Sequence, residues 1–191
     1  MGSGLSGYRA LLINERVGME RLPSSVDLAG LYDGHAQALF AFLLNLTRNE
    51  ADTKDALQEV FLKIAKRPDL LEGVRDARGF LLRLSHNLAV DLMRRRTARA
   101  KNSERAGLDV ENLFAPSADP DETVFRQALS GAMGELPPDQ RAIVHLKLWE
   151  GLTFEAIADV LDIPPNTAAS RYRYGLDKLR RRLRPIYDEI K

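Results

Sequence analysis

Apolar residues recur at three- and four-residue steps along most of this chain, the spacing that places side chains on one face of an α-helix. No window alternates apolar and polar residues as a half-buried β-strand would. The pattern therefore predicts an all-α fold. Three helices are expected in the first half, at about 28–46, 52–67 and 80–96. Their predicted core stripes are Leu28, Leu31, Tyr32, Leu39, Leu43 and Leu46; Ala56, Leu57, Val60, Phe61 and Ile64; and Leu81, Leu84, Leu88 and Leu92.

Cap and turn residues indicate where the helices begin and end. Ser25 or Asp27 can cap the first helix, and Pro68 should end the second because proline cannot continue one. Four helices are expected in the second half. The first of these carries Val124, Phe125, Leu129 and Met133, and the second starts at Pro137–Pro138, carries Ile143, Leu146 and Trp149 and ends at Gly151. Thr153 is expected to cap a short third helix with Ile157, Ala158 and Leu161. After the turn Asp162–Pro165, Asn166 or Thr167 is expected to cap the last helix.

Charge is distributed unevenly, although 28 Lys and Arg nearly balance 27 Asp and Glu. Basic residues cluster at 94–105 and at 171–184, and an acidic stretch with Gly and Pro lies between the two clusters. This pattern predicts two small helical domains joined by a flexible acidic linker. The predicted boundaries are a disordered arm at 1–24, a first domain at 25–102, a linker at 103–120 and a second domain at 121–191.

Several classes of function are excluded by composition. The chain has no cysteine, which removes disulfides, thiolate metal sites and cysteine nucleophiles. His35, His86 and His145 are scattered, and no Gly-rich phosphate loop or Gly-x-Ser-x-Gly elbow occurs. We therefore expect no catalytic site, no metal, no cofactor and no enzyme activity. The longest apolar run, Ala38–Leu44, is too short to span a membrane, so we expect a cytoplasmic protein with no membrane insertion.

The C-terminal region has the pattern of a helix-turn-helix, in which the second helix enters the major groove of DNA. One face of the last helix would read DNA, and the opposite face would pack inward. The reading face comprises Thr167, Ser170, Arg171, Tyr174 and Lys178, and the inward face comprises Ala168, Tyr172, Leu176 and Leu179. Arg171 and Arg173 can reach guanine edges or phosphates, whereas Lys178 and Arg180–Arg182 are placed to neutralise phosphates.

A family resemblance extends this interpretation. The segment LPPDQRAIVHLKLWEGLTFEAIADVLDIPPNTAASRYRYGLDKLRRRL, at 136–183, resembles the minus-35 recognition domain of bacterial extracytoplasmic-function (ECF) sigma factors. Asp162 and Asn166 stand where the family often has glycine, and both residue types tolerate such turns. Ala169 stands where the family often has lysine, which affects the expected promoter preference.

The first half resembles the same family. DALQEVFLKIAK, at 55–66, is similar to the helix that docks on the clamp of core RNA polymerase, and GFLLRLSHNLAVDLMRRR, at 79–96, is similar to the helix that binds and melts the minus-10 element. His86 and Phe80 replace a common arginine and a common tryptophan. The resemblance implies a polymerase-binding set of Asp52, Asp55, Gln58, Glu59 and Lys63, and a minus-10 set of Asn87, Asp91, Arg94, Arg95 and Arg96.

The resemblance also implies partners. These are core RNA polymerase, through its beta-prime clamp and beta flap, promoter DNA, and an anti-sigma factor or a kinase as a regulator. Asp52-Thr53-Lys54-Asp55 replaces an acidic tetrad common in the family. We therefore consider Thr53 a candidate phosphorylation site, where a phosphate would restore negative charge and strengthen polymerase docking.

Two other classes of function fit a helix-turn-helix chain. One is a polymerase-independent regulator that binds duplex DNA as a dimer, with the N-terminal domain serving dimerisation or ligand sensing. The other is an interaction module that sequesters another sigma factor. Binding to core polymerase and promoter-dependent transcription separate these alternatives from a sigma factor, which is the function we expect.

Overall fold

The structure is a computed structural model that describes residues 27–100 and 120–190, with side chains described at 27–98 and 122–185. The predicted arm at 1–24 and the linker at 103–119 lie outside the described residues. Across the described ranges the chain is all-α, as predicted, with no strand. No helix in these ranges is long and apolar enough to cross a membrane.

Seven α-helices and one short 3-10 turn make up the described structure. They are α1 (Leu28–Thr47), α2 (Glu50–Lys66), the 3-10 turn (Pro68–Leu71), α3 (Ala77–Ala100), α4 (Pro120–Gly134), α5 (Pro138–Leu148), α6 (Phe154–Leu161) and α7 (Pro165–Ile190). The helix α4 begins at Pro120, which the sequence assigned to the linker. We refer to α1–α3 as the first half and to α4–α7 as the second half.

Side-chain caps explain where the first three helices begin. Asp27 caps α1, since its Oδ1 accepts a hydrogen bond of 2.9 Å from the Gly30 N–H. Asn49 caps α2 in the same way, and this helix therefore begins two residues earlier than predicted. The Asp76 carboxylate accepts from the Gly79 N–H at 3.0 Å, so α3 begins at Ala77 rather than near Phe80.

The helix ends of the second half are partly as predicted. Thr153 caps α6, and Gly151 has a φ of +67° where the chain turns after α5. The assignment of Asn166 or Thr167 as the cap of the last helix was wrong, because α7 begins at Pro165 and both residues lie in its first turn. Proline is favourable at the first position of a helix, because the backbone N–H that it lacks would have no hydrogen-bond partner inside the helix there.

One apolar core includes residues of both halves. The predicted stripes of α1, α2 and α3 all belong to it, with α5, α6 and Ala168 of α7 added from the second half. The helix α1 packs on α5, and α3 packs on α6. Trp149, which was expected on the apolar stripe of its helix, lies just beyond α5 and is 40% exposed.

Candidate nucleic-acid and protein interfaces

The helix-turn-helix is built from α6, a tight turn and α7. Asp162 makes the turn with a φ of +54°, and its backbone N–H donates to the Ala158 carbonyl. Inside the unit, Ala168 is fully buried and Leu179 is 5% exposed, so the predicted inward face of α7 does pack inward. The opposite face of α7 is therefore held outward by the core.

The predicted minus-35 residues differ in how freely they are presented. Arg173, Tyr174 and Lys178 are exposed, and the Arg173 guanidinium lies 5.6 Å from the centre of the Tyr174 ring. The Ser170 hydroxyl donates to the Thr167 carbonyl at 3.0 Å, and both residues are half-buried. Arg171 is also half-buried, with Nη1 at 3.1 Å from Oδ2 of Asp139 in α5. The central residue of the reading face is thus held by a carboxylate when no DNA is bound.

Four residues of the predicted minus-10 set share the open side of α3. Asn87, Asp91, Arg94 and Arg95 are all exposed. Arg96 behaves differently, because its Nη1 donates to Oδ2 of Asp52 at 2.7 Å. The structure therefore joins one member of the minus-10 set to one member of the polymerase set, and neither side chain is free in this conformation.

The remaining polymerase residues form a continuous polar face on α2. Asp55, Gln58, Glu59 and Lys63 are exposed. Val60 and Ile64, on the opposite side of α2, are completely buried in the core. This face is rigid, because the buried side of the same helix fixes its orientation.

Thr53 lies inside the molecule rather than on its surface. It is 0% exposed, its hydroxyl donates to the Asn49 carbonyl at 2.7 Å, and its Oγ1 lies 2.8 Å from Oγ1 of Thr47. A kinase could reach this hydroxyl only after the junction of α1 and α2 had opened. Phosphorylation of Thr53 stays a prediction, and the folded chain presents no accessible hydroxyl for it.

A buried polar network crosses between the two halves. It consists of Asn45 and Arg78 from the first half and His145 and Glu150 from the second, and we call it the interdomain polar network. Nδ2 of Asn45 lies 2.9 Å from Nδ1 of His145. Nε2 of His145 lies 3.5 Å from Oε1 of Glu150, and the other oxygen of this carboxylate, Oε2, pairs with Arg78. Asn45, His145 and Glu150 are each at least nine-tenths buried.

The donors and acceptors of this network can be assigned. The Asn45 amide nitrogen can only donate, so Nδ1 of His145 accepts this hydrogen bond, and Nε2 of the same ring faces Glu150. Burial pushes the pKa of the Glu150 carboxyl upward, but the neighbouring His145 and Arg78 side chains outweigh burial and hold that pKa below its ordinary value. Glu150 is therefore ionised at neutral pH and completes the network with a negative charge.

Two arginines lie at the junction of the halves. Arg141 of α5 is 7% exposed and donates to carbonyl oxygens at the C-terminal ends of two helices: Asn45 and Leu46 of α1, and Gly134 and Leu136 at the end of α4. Helix C-termini carry partial negative charge, which explains a buried cation bound by carbonyls. Burial, together with the nearby Arg48, lowers the pKa of Arg141 to about 10. Arg141 therefore remains charged at neutral pH.

His86 lies on the side of α3 that faces the second half. Burial lowers the pKa of its imidazole, and Asn87 and Asp139 partly oppose this shift. Asp139 is the same residue that pairs with Arg171. The Asp139 carboxylate of α5 thus pairs with a residue of α7 and acts electrostatically on a residue of α3.

The sequence analysis did not predict the polar residues that join the halves, although the sequence contains a pattern that could have identified two of them. Asn45 stands between Leu44 and Leu46, and His145 stands between Val144 and Leu146. A polar residue inside an apolar helix stripe is expected to find a polar partner. The partner, about one hundred positions away, could not be named from this pattern.

Comparisons with known proteins now bear on the identity of the two halves. The family model of sigma-70 region 2 matches residues 31–99, and that of sigma-70 region 4 matches residues 126–179. These ranges cover most of the first half and the helix-turn-helix with the helices that support it. The chain belongs to the sigma-70 family. This sigma factor directs RNA polymerase in transcription initiation, and the alternative of a polymerase-independent dimeric regulator is not favoured.

Individual relatives place this sigma factor among the ECF factors. It is 29% identical over 163 residues to ECF RNA polymerase sigma factor SigL of Mycobacterium tuberculosis, with 83% of this chain and 90% of the relative covered. It is 24% identical over 165 residues to ECF RNA polymerase sigma factor SigX of Bacillus subtilis, covering 84% and 85%.

A solved structure shows the same fold. The sigma factor RpoE of Bartonella quintana, crystallised with the anti-sigma factor NepR, matches this sigma factor with a TM-score of 0.70 and 22% identity. The match covers 83% of this chain and 97% of the other. At this level of identity the likeness establishes the fold alone.

Proposed function

We propose that this sigma factor uses three exposed polar faces, on α2, α3 and α7, to bind core polymerase, the minus-10 element and the minus-35 element respectively. One observation supports the division best. Each face lies on a helix whose opposite side is buried in the core, so its side chains are presented outward at fixed positions. A rigid scaffold of this kind limits the conformational entropy lost on binding.

At the minus-35 element we assign base reading to Arg171 and Arg173. Thr167, Ser170 and Tyr174 complete the contact surface, and Lys178 with the following arginines contributes phosphate contacts. Arg171 must leave Asp139 to reach a base, because its guanidinium is held by that carboxylate in the free protein. Asp139 therefore binds the Arg171 guanidinium until DNA replaces it.

At the minus-10 element we assign unstacked bases to Asn87 and Asp91, with Arg94, Arg95 and Arg96 neutralising phosphates. Exposed amide and guanidinium groups on one helix face suit single-stranded DNA, which offers both base edges and backbone charge. Arg96 joins the set when it exchanges Asp52 for a phosphate.

On polymerase we assign the contact with the beta-prime clamp to Asp55, Gln58, Glu59 and Lys63, with Asp52 at its edge. The second half is assigned to the beta flap. RNA synthesis belongs to the polymerase, and this chain contributes recognition without a catalytic residue. We place its action in the bacterial cytoplasm, where its polymerase partner works.

Regulation by a protein partner is part of the proposal. The solved relative is bound to an anti-sigma factor, and we propose that an anti-sigma protein binds this chain as well. A kinase acting at Thr53 is the alternative regulator, and the burial of this hydroxyl means that such a kinase would need a partly opened substrate.

The test is transcription by the purified chain together with bacterial core RNA polymerase on a library of promoter sequences. Promoter-dependent RNA is the expected result, and it would also return the preferred minus-35 and minus-10 sequences. A chain that binds DNA as a dimer and gives no RNA at any promoter would overturn the proposal.

Two sets of variants separate the assigned roles in the full chain. Gln58→Ala combined with Glu59→Ala should weaken polymerase binding and leave minus-35 DNA binding unchanged. Arg171→Ala should lower the discrimination between minus-35 sequences by about 1 to 3 kcal/mol if Arg171 contacts a base. The control is Arg180→Ala, which should weaken binding to all sequences alike. An equal loss on all sequences for Arg171→Ala would make Arg171 a phosphate contact instead.

A further inference from the structure

Asp139 is a carboxylate at the edge of the DNA-reading face of α7. It belongs to the first turn of α5, and its Oδ2 lies 3.1 Å from Nη1 of Arg171. The Asp139 side chain is 64% exposed and that of Arg171 is 37% exposed. The carboxylate is therefore accessible to a ligand that reaches the Arg171 guanidinium.

Close packing of α5 on α7 fixes Asp139 and Arg171 side by side. Gly175 follows Arg171 by about one helical turn. A methyl group added at Gly175 would lie 2.9 Å from Cγ2 of Val144 and 3.5 Å from Cβ of Gln140, which directly follows Asp139 in α5. Helices that approach this closely cannot slide past each other without a clash. The acidic and the basic side chain are thus presented together to bound DNA.

Arg171 differs in this respect from the other basic residues of the predicted minus-35 set. Arg173 and Lys178 are exposed, and no carboxylate of the described residues is within ion-pair distance of either. Arg181, further along α7, pairs with Asp177, and both side chains of that pair are more than half exposed. Among the described residues of the minus-35 set, Arg171 alone has a carboxylate beside it.

DNA that takes the place of Asp139 on Arg171 removes the cation from the carboxylate. A phosphate cannot replace this cation, because it carries the same negative charge and repels the carboxylate. A charged acceptor that is left without a partner in an interface costs free energy. The carboxylate therefore needs a hydrogen-bond donor from the DNA, and the amino groups of cytosine and adenine are the donors in the major groove.

One base pair offers what both side chains need. In the major groove guanine presents the acceptors N7 and O6, and the cytosine paired with it presents the N4 amino group beside them. Arg171 supplies two donors and Asp139 supplies an acceptor, in the complementary order. The reversed base pair would place the cytosine amino group against the guanidinium and the guanine acceptors against the carboxylate. An A·T pair would offer the guanidinium one acceptor instead of two adjacent ones.

We propose that Asp139 is a second base-reading residue at the minus-35 element, which accepts a hydrogen bond from N4 of the cytosine paired with the guanine that Arg171 reads. The inference rests on the proposed function, because it takes Arg171 as a base contact. It goes further by making Asp139 select the base pair, beyond releasing Arg171 to the DNA.

A duplex that carries N4-methylcytosine tests the inference on one hydrogen bond. The methyl group takes the place of the N4–H that points into the major groove, while the pair with guanine is kept. The modified base is placed opposite the guanine for which Arg171→Ala loses its preference. Holoenzyme assembled from the full chain and core RNA polymerase then binds methylated and unmethylated promoter duplexes in competition. The parent should prefer the unmethylated duplex by about fivefold or more, and Asp139→Ala should bind the two within about twofold of each other.

Two further variants are the controls. Asp177→Ala also removes a carboxylate from beside an arginine of α7, and it should keep the preference of the parent for the unmethylated duplex. Asp139→Asn keeps an oxygen acceptor of the same size at the same position and should retain part of this preference. Loss of the preference in Asp139→Ala can then be assigned to the acceptor rather than to misfolding.

Three results would overturn the inference while the proposed function stands. The parent could bind both duplexes equally, Asp139→Ala could discriminate between them as the parent does, or Arg171→Ala could lose affinity for all minus-35 sequences alike. The third result would leave no guanine contact for Asp139 to complete. Absence of promoter-dependent RNA from the parent chain would overturn the proposed function and the inference together.

Discussion

The guanidinium of Arg141 donates to the backbone carbonyl of Asn45 at 3.2 Å, across the boundary between the two halves of the chain. The bond joins a helix of region 4 to the C-terminal end of the first helix of region 2. Arg48 lies on the other side of the same junction, since a methyl group added at Gly134 would be 3.0 Å from its Nη2. Arg141 thus lies at the C-terminal end of α1, and Arg48 lies at the C-terminal end of α4. Each arginine is therefore close to the partial negative charge of a helix in the other half.

Replacing Arg141 should be among the most destabilising single changes at this junction. Arg141→Met keeps an elongated apolar side chain but leaves the carbonyls of Asn45, Leu46, Gly134 and Leu136 without this donor in a buried site. We expect a loss of about 2 to 4 kcal/mol in the free energy of unfolding, measured by urea denaturation. Arg75→Met, at an exposed position, is the control and should change it little. A loss below about 0.5 kcal/mol for Arg141→Met would show that the carbonyls find other donors.

Substitutions at Thr53 should reveal its burial. Thr53→Ser should be nearly neutral, whereas Thr53→Glu places a carboxylate at a site with 0% exposure and should cost about 3 kcal/mol or more of unfolding free energy. Ala51→Glu, two positions earlier in the same helix and exposed, is the matched control for the added charge. Denaturation midpoints measure both. If Thr53→Glu were as stable as Ala51→Glu, the hydroxyl would be accessible and the kinase hypothesis would gain support.

Close packing of the recognition helix on α5 depends on Gly175. A methyl group there would lie 2.9 Å from Cγ2 of Val144, closer than van der Waals contact allows. Gly175→Ala should therefore lower the free energy of unfolding by about 1 to 3 kcal/mol. Combining it with Val144→Ala should recover part of the loss, because the smaller side chain vacates the clashing volume.

The control for Gly175→Ala is Gly131→Ala. Gly131 lies in α4 with open space around it, so alanine there should stabilise the protein by up to about 1 kcal/mol through helix propensity. Thermal unfolding of these three variants and the parent would check both expectations. Stabilisation by Gly175→Ala would mean that α7 does not approach α5 this closely.

His86 should make stability depend on pH near neutrality. Its pKa in the folded protein is lowered by burial from the ordinary value of 6.5, so the unfolded chain binds more protons below that pH. The contribution of His86 is therefore complete above about pH 6.5 and is lost as pH falls through the folded pKa. His86→Gln should flatten the decline in unfolding free energy between about pH 7 and pH 5. His35→Gln, in the same half, is the control, and an equal flattening by it would contradict the assignment to His86.

Much of each half could be predicted from local pattern alone. The three- and four-residue spacing identified the apolar stripes of α1, α2 and α3, and all of their predicted core residues lie in or against the core. Thr153, Gly151 and Asp162 were recognisable because capping and left-handed turns depend on the residue itself. The exposed face of α2 followed from the same helical geometry, since a buried stripe leaves the opposite side outward.

The surroundings of a side chain could not be predicted where a neighbour in space decides them. Arg171 and Arg96 were both assigned to DNA, which stays a prediction, and in the structure each is held by a carboxylate of another helix, Asp139 or Asp52. Thr53 was treated as a helix-start residue open to modification, although its burial depends on how α1 meets α2. Such pairings depend on helix packing, which has no signal at short range along the chain.

The sequence by itself determined that this protein is all-α and approximately where its helices lie, because helical periodicity and residue chemistry are local properties. Tertiary structure alone decided that one apolar core includes residues of both halves and that the interdomain polar network joins them. The physical reason is that a buried polar group needs a partner, while the sequence does not specify which distant residue will reach it. The packing of α1 on α5 and of α3 on α6 makes that choice.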